Sequence, residues 1–232
     1  MSETYSEKFL RNTGTLEPKE QKRLREAVFC IVGMGGTGGF CFENLLRLGC
    51  EDFILFDSDR FELCNFNRQI LATDEVVDLA KVDAAVRRAR EVNDSARIRK
   101  LEAFGPRTSG EIRDCEIVID GTDNLPARAE IAKACREHGK PYVFCSAASS
   151  RGIVTIFDNY SFEKAFQLPE GPKELDGRGT CSSVVCPAAS LAGTIGAAQA
   201  ANYLLGKPFA KAPDAIFFDI FREDVFWRAR LG

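Results

Sequence analysis

The chain has almost no histidine. His138 stands alone among 232 residues. A multi-histidine metal site is therefore excluded, and imidazole acid–base chemistry is confined to one position. There is also no Cys-x-x-Cys pair, although nine cysteines occur, at 30, 41, 50, 64, 115, 135, 145, 181 and 186. An odd number at irregular spacing is not a disulfide framework. Cys30, Cys115 and Cys145 sit inside apolar runs, where a thiol acts as a small hydrophobe. A reducing, cytoplasmic setting is expected. No apolar stretch occurs between Met1 and Arg25, so no signal peptide is expected. A charge excess is missing as well. The 31 Lys and Arg against 34 Asp and Glu give a net charge of −3, which argues against nucleic acid as a partner. The 28 residues from Gly179 to Gly206 carry no charge but are mostly Ala, Gly, Ser and Thr. Such small residues suit close packing against protein, so a buried helix is expected there and no membrane span.

What is present alternates between strand and helix. Glu17–Arg25 is helical in composition, with Pro18 where an early proline is tolerated. Val28–Val32 is a continuous apolar run, as a central parallel strand buried on both faces should be. The glycine-rich Gly33–Gly39 follows, and then a helix to about Leu48 that Gly49 stops. Further strands are predicted at Phe53–Phe56, Arg97–Leu101, Ile117–Ile119 and Tyr142–Cys145, with helices over about 76–92 and 127–138. This is an α/β pattern with a mostly parallel, Rossmann-like sheet and helices on both faces. After Ser150 it changes. A strand at Ile153–Phe157, a long loop over 162–179, a helix over 188–205 and two antiparallel strands, Ala215–Phe218 and Asp224–Trp227, are expected. No linker separates two cores. A single domain over 1–232 is expected, with a helical arm (1–26), a nucleotide-binding half (27–150) and a substrate and dimer half (151–232).

Gly33-x-Gly35-x-x-Gly38 lies directly between a strand and a helix. Its glycines let a phosphate approach the backbone, and the helix start supplies N–H donors. Asp57 ends the second strand, where an acid accepts hydrogen bonds from a ribose diol. Alone, these features favour NAD. The residues that follow argue otherwise. Asn65-Phe-Asn-Arg68-Gln69, Lys81 at a helix start and Gly121-Thr-Asp123-Asn124 all come at or just after strand ends, which line the crevice of an open α/β sheet. They add two cations, amides and a carboxylate for a metal at Asp123. A triphosphate undergoing transfer needs such a set, and a dinucleotide pyrophosphate rarely does. Asp59 is read as a turn or cap residue. His138, next to Gly139 at a helix end, is assigned no catalysis.

The ordered set resembles the ubiquitin-activating E1-like family, the adenylating enzymes of thiamin and molybdopterin sulfur transfer. The matching residues are Arg11-Asn12, Gly33–Gly39, Asp57-x-Asp59, Asn65-x-x-Arg68-Gln69, Lys81 and Thr122-Asp123-Asn124, with a weaker match over Gly193–Ala200. The resemblance implies an ATP-dependent adenylyltransferase that turns a carboxylate into an acyl-adenylate and releases pyrophosphate. It implies that Gly33, Gly35 and Gly36 shape the nucleotide loop and that Asp57 holds the ribose. Asn65, Arg68, Gln69 and Lys81 would bind phosphates, and Asp123, next to Asn124, would position Mg²⁺. Arg11 would reach the ATP of a partner in a homodimer, with helix 188–205 at or near the interface. No general base is required, because a carboxylate is already ionised at neutral pH.

Two departures from that family bear on the substrate. Many relatives bind zinc through two Cys-x-x-Cys pairs, so no zinc is expected here. No rhodanese-like or ubiquitin-fold extension is expected. A small-molecule carboxylate, such as the pyridinol precursor that a resembling methanogen branch activates for the iron-guanylylpyridinol cofactor, is as well supported as the C-terminus of a ubiquitin-like sulfur carrier. Cys181 and Cys186 stand where relatives can carry a reactive thiol. Cys186, before Pro187 at a helix start, could have a lowered pKa, but the inert reading is favoured. An NAD-dependent oxidoreductase is the alternative enzyme, and a catalytically dead E1-like subunit is the alternative binding module.

Overall fold

Strand β1 (Val28–Val32) alternates its side chains between two apolar layers. Phe29 and Ile31 enter one layer, Cys30 and Val32 the other, and at least one layer on each face is needed to cover such a strand. The structure is a computed structural model and describes residues 3–168 and 183–232. Around β1 lie β2 (Asp52–Phe56), β3 (Arg97–Leu101), β4 (Ile117–Asp120) and β5 (Tyr142–Ala148), all parallel. Strands β6 (Arg151–Phe157), β7 (Asp214–Asp219) and β8 (Phe226–Arg230) continue the sheet antiparallel from β5. The order is β3-β2-β1-β4-β5-β6-β7-β8. It runs outward in both directions from the β1–β4 seam, which is the switch point where α/β folds bind ligands. The expected Rossmann-like sheet with added antiparallel strands is therefore present.

Helices α1 (Glu3–Lys8), α2 (Pro18–Glu26), α3 (Gly36–Arg47), α4 (Lys81–Val92), α5 (Leu125–Glu137), α6 (Phe162–Ala165) and α7 (Cys186–Leu204) surround it. Leu24, Phe42, Leu45, Val82 and Ala200 of α2, α3, α4 and α7 share one layer with Phe29 and Phe53. Ile131 and Cys135 of α5 share the other with an aromatic cluster of Tyr142, Phe144, Phe157 and Phe162. Full burial of such a side chain contributes about 1.5–3 kcal/mol. Cys30, Cys41, Cys50, Cys115, Cys135 and Cys145 are buried and unbridged, while Cys64 and Cys186 are exposed. Cys181 lies outside the described residues. No helix among the described residues is long and apolar enough to cross a membrane.

Local differences from the sequence pattern have identifiable causes. The helix expected from residue 76 starts at Lys81, because bridges from Arg60 to Ala80 and from Phe61 to Val77 hold that stretch in a turn, in which Asp78 has φ +64°. A 3₁₀ turn (Asp74–Val76) precedes it. The loop expected from 162 begins with α6, whose first turn is capped by Ser161 accepting from the Lys164 N–H. The last strand starts at Phe226 rather than Asp224, because Asp219 accepts from the Phe221 N–H and folds the intervening residues into a turn. The uncharged α7 packs within its own chain, against α3, β5 and β6. A Cβ at Gly193 would lie 2.5 Å from the Thr37 carbonyl oxygen and 2.6 Å from Phe40 Cβ.

That contact decides a substitution. Gly193→Ala gains roughly 1 kcal/mol of helix propensity, yet the added methyl meets backbone and a fixed Cβ. We expect a net loss of about 1–3 kcal/mol in urea unfolding, while Ala198→Gly, at an exposed position of the same helix, should lose only about 1 kcal/mol.

Candidate functional site

Three glycines bring the ends of β1 and β4 into contact. Gly33 has φ +89°, a conformation that only glycine adopts without strain. A Cβ at Gly121 would lie 2.5 Å from the Gly33 carbonyl oxygen and 2.7 Å from Gly38 Cα, and one at Gly38 would fall on that same oxygen. Gly35 is different. A Cβ there would meet only the Gln69 side chain, at 3.8 Å. Packing within the chain explains Gly33, Gly38 and Gly121, whereas Gly35 faces open space.

That space is a cleft of about 450 Å³, within the range of small-molecule sites. Gly33, Gly35 and Gly36 line it together with Asp57, Arg68, Gln69, Lys81, Asp123 and Asn124. Asp57 fixes the loop. Its Oδ2 accepts from the Met34 N–H at 2.6 Å and its Oδ1 from the Asp59 N–H at 2.8 Å. Burial pushes the Asp57 carboxyl above its ordinary range, opposed by the nearby Lys81 ammonium and these two N–H bonds. Lys81 is buried and its Nζ lies 2.8 Å from Asp59 Oδ2, whose side chain is two-thirds exposed. Asp59, read from sequence as a turn residue, thus holds the buried cation. Arg68 donates to the Cys64 carbonyl and to Asn67 Oδ1, both at 2.8 Å. Gln69 is buried, and its Oε1 has no hydrogen-bond partner among the described residues.

Two expected residues stand elsewhere. Asn65 is buried, and its Oδ1 accepts from the Glu62 N–H at 3.0 Å, which caps a short 3₁₀ turn (Leu63–Asn65). Arg11 is exposed on the 3₁₀ turn Leu10–Asn12. Neither lines the cleft.

Other residues were not legible as site residues. Asp120 ends β4 fully buried. Its Oδ1 accepts from the Thr122 N–H and hydroxyl, and its Oδ2 from the Tyr142 hydroxyl at 2.5 Å. Burial raises its pKa, opposed first by the Arg128 guanidinium and then by these bonds. Arg128, one turn into α5, lines the cleft. The available signal for Asp120 was its likeness to Asp57, since both are acids closing an apolar strand beside a glycine turn. Asp123 follows with an exposed carboxylate, and Asn124 caps α5 by accepting from the Ala127 N–H.

The arrangement places positive groups opposite a carboxylate at a helix start. It suits a polyanionic nucleotide, with Gly35 leaving room for phosphate and the Gln69 amide nitrogen, a donor, as the side-chain atom nearest that position. The exposed Asp123 carboxylate suits a hard divalent cation that completes its shell with phosphate and water oxygens.

The ThiF family profile matches residues 9–231. The adenylyltransferase and sulfurtransferase MOCS3 of Drosophila sechellia is 31% identical over 186 residues, covering 78% of this chain and 40% of that protein. The sulfur carrier protein adenylyltransferase of Thermus thermophilus is 30% identical over 212 residues, covering 83% of this chain and 75% of that protein. This chain therefore spans less than half of the first relative and three quarters of the second. Among solved structures, Escherichia coli MccB with MccA-N7isoASN superposes with a TM-score of 0.81 at 17% identity, over 98% of this chain and 72% of that one. That likeness shows the fold.

Lys81→Met separates a site cation from a structural ion pair. Asp59 is mostly solvated, so that ion pair accounts for no more than about 1 kcal/mol in urea unfolding, and the loss of Lys81's support for the buried Asp57 carboxylate adds to it. Affinity for a nucleoside triphosphate should fall by about tenfold or more, equivalent to roughly 1.4 kcal/mol. A large stability loss with unchanged nucleotide affinity would assign Lys81 to the fold instead.

Proposed function

The chain belongs to the ThiF family, and from that membership we propose that it is an ATP-dependent adenylyltransferase. It activates a carboxylate as an acyl-adenylate and releases pyrophosphate. One observation carries this: the phosphate-accommodating loop at Gly35, the acid Asp57, the cations Arg68 and Lys81, and the carboxylate of Asp123 all line one cleft.

Two anions must meet in this reaction, the attacking carboxylate and the α-phosphate. Arg68, Lys81 and the N-terminus of α3 supply positive potential on the phosphate side. Asp57 keeps lone pairs for the ribose hydroxyls after serving Met34 and Asp59. Asp123 is the residue that would hold magnesium, which, when bound, neutralises phosphate charge. The attacking group needs no general base, and none is assigned.

The acyl donor is a carboxylate from a small molecule or from a protein tail. One feature supports a tail. Strand β4 pairs with β5 only as far as Phe144, while β5 continues to Ala148 with β6 alone beside it. Ser146, Ala147 and Ala148 line the cleft at that free edge, where an extended chain end can add backbone hydrogen bonds. The Thermus thermophilus relative is named for a sulfur carrier protein, which supports the ubiquitin-like carrier over a pyridinol-type precursor. A cytoplasmic homodimer of single-domain protomers completes the reading, with residues 27–150 holding the nucleotide and 151–232 the substrate and dimer contacts. Leu63, Phe66, Ile70 and Val185 are exposed, and Asn67, in the segment of the first three, donates to the Val184 carbonyl just before α7. These exposed apolar side chains support a second copy there, and Arg11 acting across that interface belongs to the same reading. Cys186 is exposed at the start of α7, and its thiol is not needed for adenylate formation.

ATP–pyrophosphate exchange tests the reaction. Exchange should require magnesium and a carboxylate substrate, with a glycine-terminated carrier tail and free aromatic carboxylates tried in parallel. Asp123→Ala should lower it by about 100-fold or more, and full activity in that variant would remove Asp123 from the site. Binding of NADH without binding of ATP would replace the reading with an oxidoreductase. Sedimentation should report a dimer, and a stable active monomer would exclude Arg11 acting across an interface.

A further inference from the structure

Arg128 has no role in the reaction as described, yet it is the third cation of the cleft. Its side chain is mostly buried. One terminal nitrogen donates to the Thr122 carbonyl at 2.7 Å and the other to Ser146 Oγ at 3.0 Å. The guanidinium carbon lies 5.0 Å from the centre of the Phe144 ring, on which the group rests. Asp120 is near but does not hold it. Asp120 Oδ2 is 3.8 Å from Arg128 Nε, too far for a hydrogen bond, and Nε has no partner among the described residues. The Asp120 oxygens are taken by Thr122 and Tyr142. What fixes the guanidinium is therefore the pair Thr122 and Ser146, and these are what it fixes in return.

Thr122 is thus gripped from two sides. Asp120 takes its N–H and hydroxyl, and Arg128 takes its carbonyl. That carbonyl belongs to the peptide plane that leads into Asp123. Two residues on, Asn124 is tied down as the cap of α5. Between these anchors Asp123 is the exposed residue, and it lines the cleft.

We propose that Arg128 is the positioning residue for Asp123: by bridging the Thr122 carbonyl to Ser146 it sets the peptide plane that aims the Asp123 carboxylate at the metal-bound nucleotide. This rests on the adenylyltransferase reading, in which Asp123 serves the magnesium–nucleotide complex. The role requires arginine. A lysine ammonium is a point donor and cannot span two acceptors with the fixed geometry of a planar fork. It also joins the phosphate side of the cleft to the free edge of β5, so the Asp123 turn and the substrate edge share one support.

Calorimetric titration of the full chain with the non-hydrolysable analogue AMPPCP, with magnesium or with EDTA, tests this without any acyl substrate. Wild type should bind the analogue more tightly with magnesium, and Asp123→Ala should lose that gain. Arg128→Lys retains the buried charge beside Asp120 and should still fold, as a thermal melt will report. It should lose about tenfold of the magnesium-dependent gain, the usual effect of removing a partner that orients a metal ligand, while metal-free affinity stays within about twofold. Ser146→Ala, which leaves Arg128 and Thr122 in place, should lose part of the same gain. Retention of the full gain in Arg128→Lys overturns the proposal. So does an equal loss with and without magnesium, which would mean that Arg128 shapes the pocket as a whole. If wild type shows no magnesium gain, or Asp123→Ala keeps it, the adenylyltransferase reading itself falls and takes the proposal with it.

Discussion

The contact between Gly33, Gly38 and Gly121 is the constraint on which the site depends. It lets the turns after β1 and β4 touch, backbone against backbone, at the seam where the sheet order reverses. Any side chain there would hold the turns apart. With the turns in contact, the loop carrying Gly35 and the turn carrying Asp123 face each other across one cleft rather than two. Binding energy from both can then act on one ligand.

Carboxylates do the fastening. Asp57 and Asp120 each close an apolar strand, and each accepts backbone N–H groups from the turn beside it: Met34 and Asp59 for one, Thr122 for the other. Both are pushed toward the protonated form by burial and both have a basic partner opposing this, Lys81 for Asp57 and Arg128 for Asp120. The two cations are not equivalent. Lys81 is paired with the solvated Asp59, so a ligand phosphate can compete for it. Arg128 is committed to Thr122 and Ser146 and supports geometry.

Much of this was legible in the sequence because period and punctuation agree there. Apolar runs of strand length end at glycines or acids, so Gly33, Gly35, Gly36, Asp57 and Asp123 could be located before their surroundings were known. The start of α4 was not legible. Val76 and Val82 fit one helical period, but bridges to Arg60 and Phe61 hold the residues before Lys81 in a non-helical turn. Those bridges come from a segment distant in sequence. Asn65 is ambiguous for the opposite reason. Its side chain serves the local turn at Glu62, a use that short-range pattern cannot separate from ligand binding. Arg128 looked like any charged residue on a helix, since nothing in its spacing reveals that Ser146, on another strand, would complete its fork. The uncharged helix was legible as buried, though what covers it, α3 with β5 and β6, is tertiary information.

The six buried cysteines have a practical consequence. They are spread over β1, α3, the turn before β2, the cap of the 3₁₀ turn (Ser109–Asp114) before β4, α5 and β5; burial holds the thiols of Cys30, Cys50 and Cys135 protonated, and a hydrogen bond with Cys41 together with burial does so for Cys145. An alkylating reagent meets them only when the surrounding structure opens. The native chain therefore carries its own set of reporters, one or more in nearly every layer. The order in which they become modified would record which parts of the molecule come apart first.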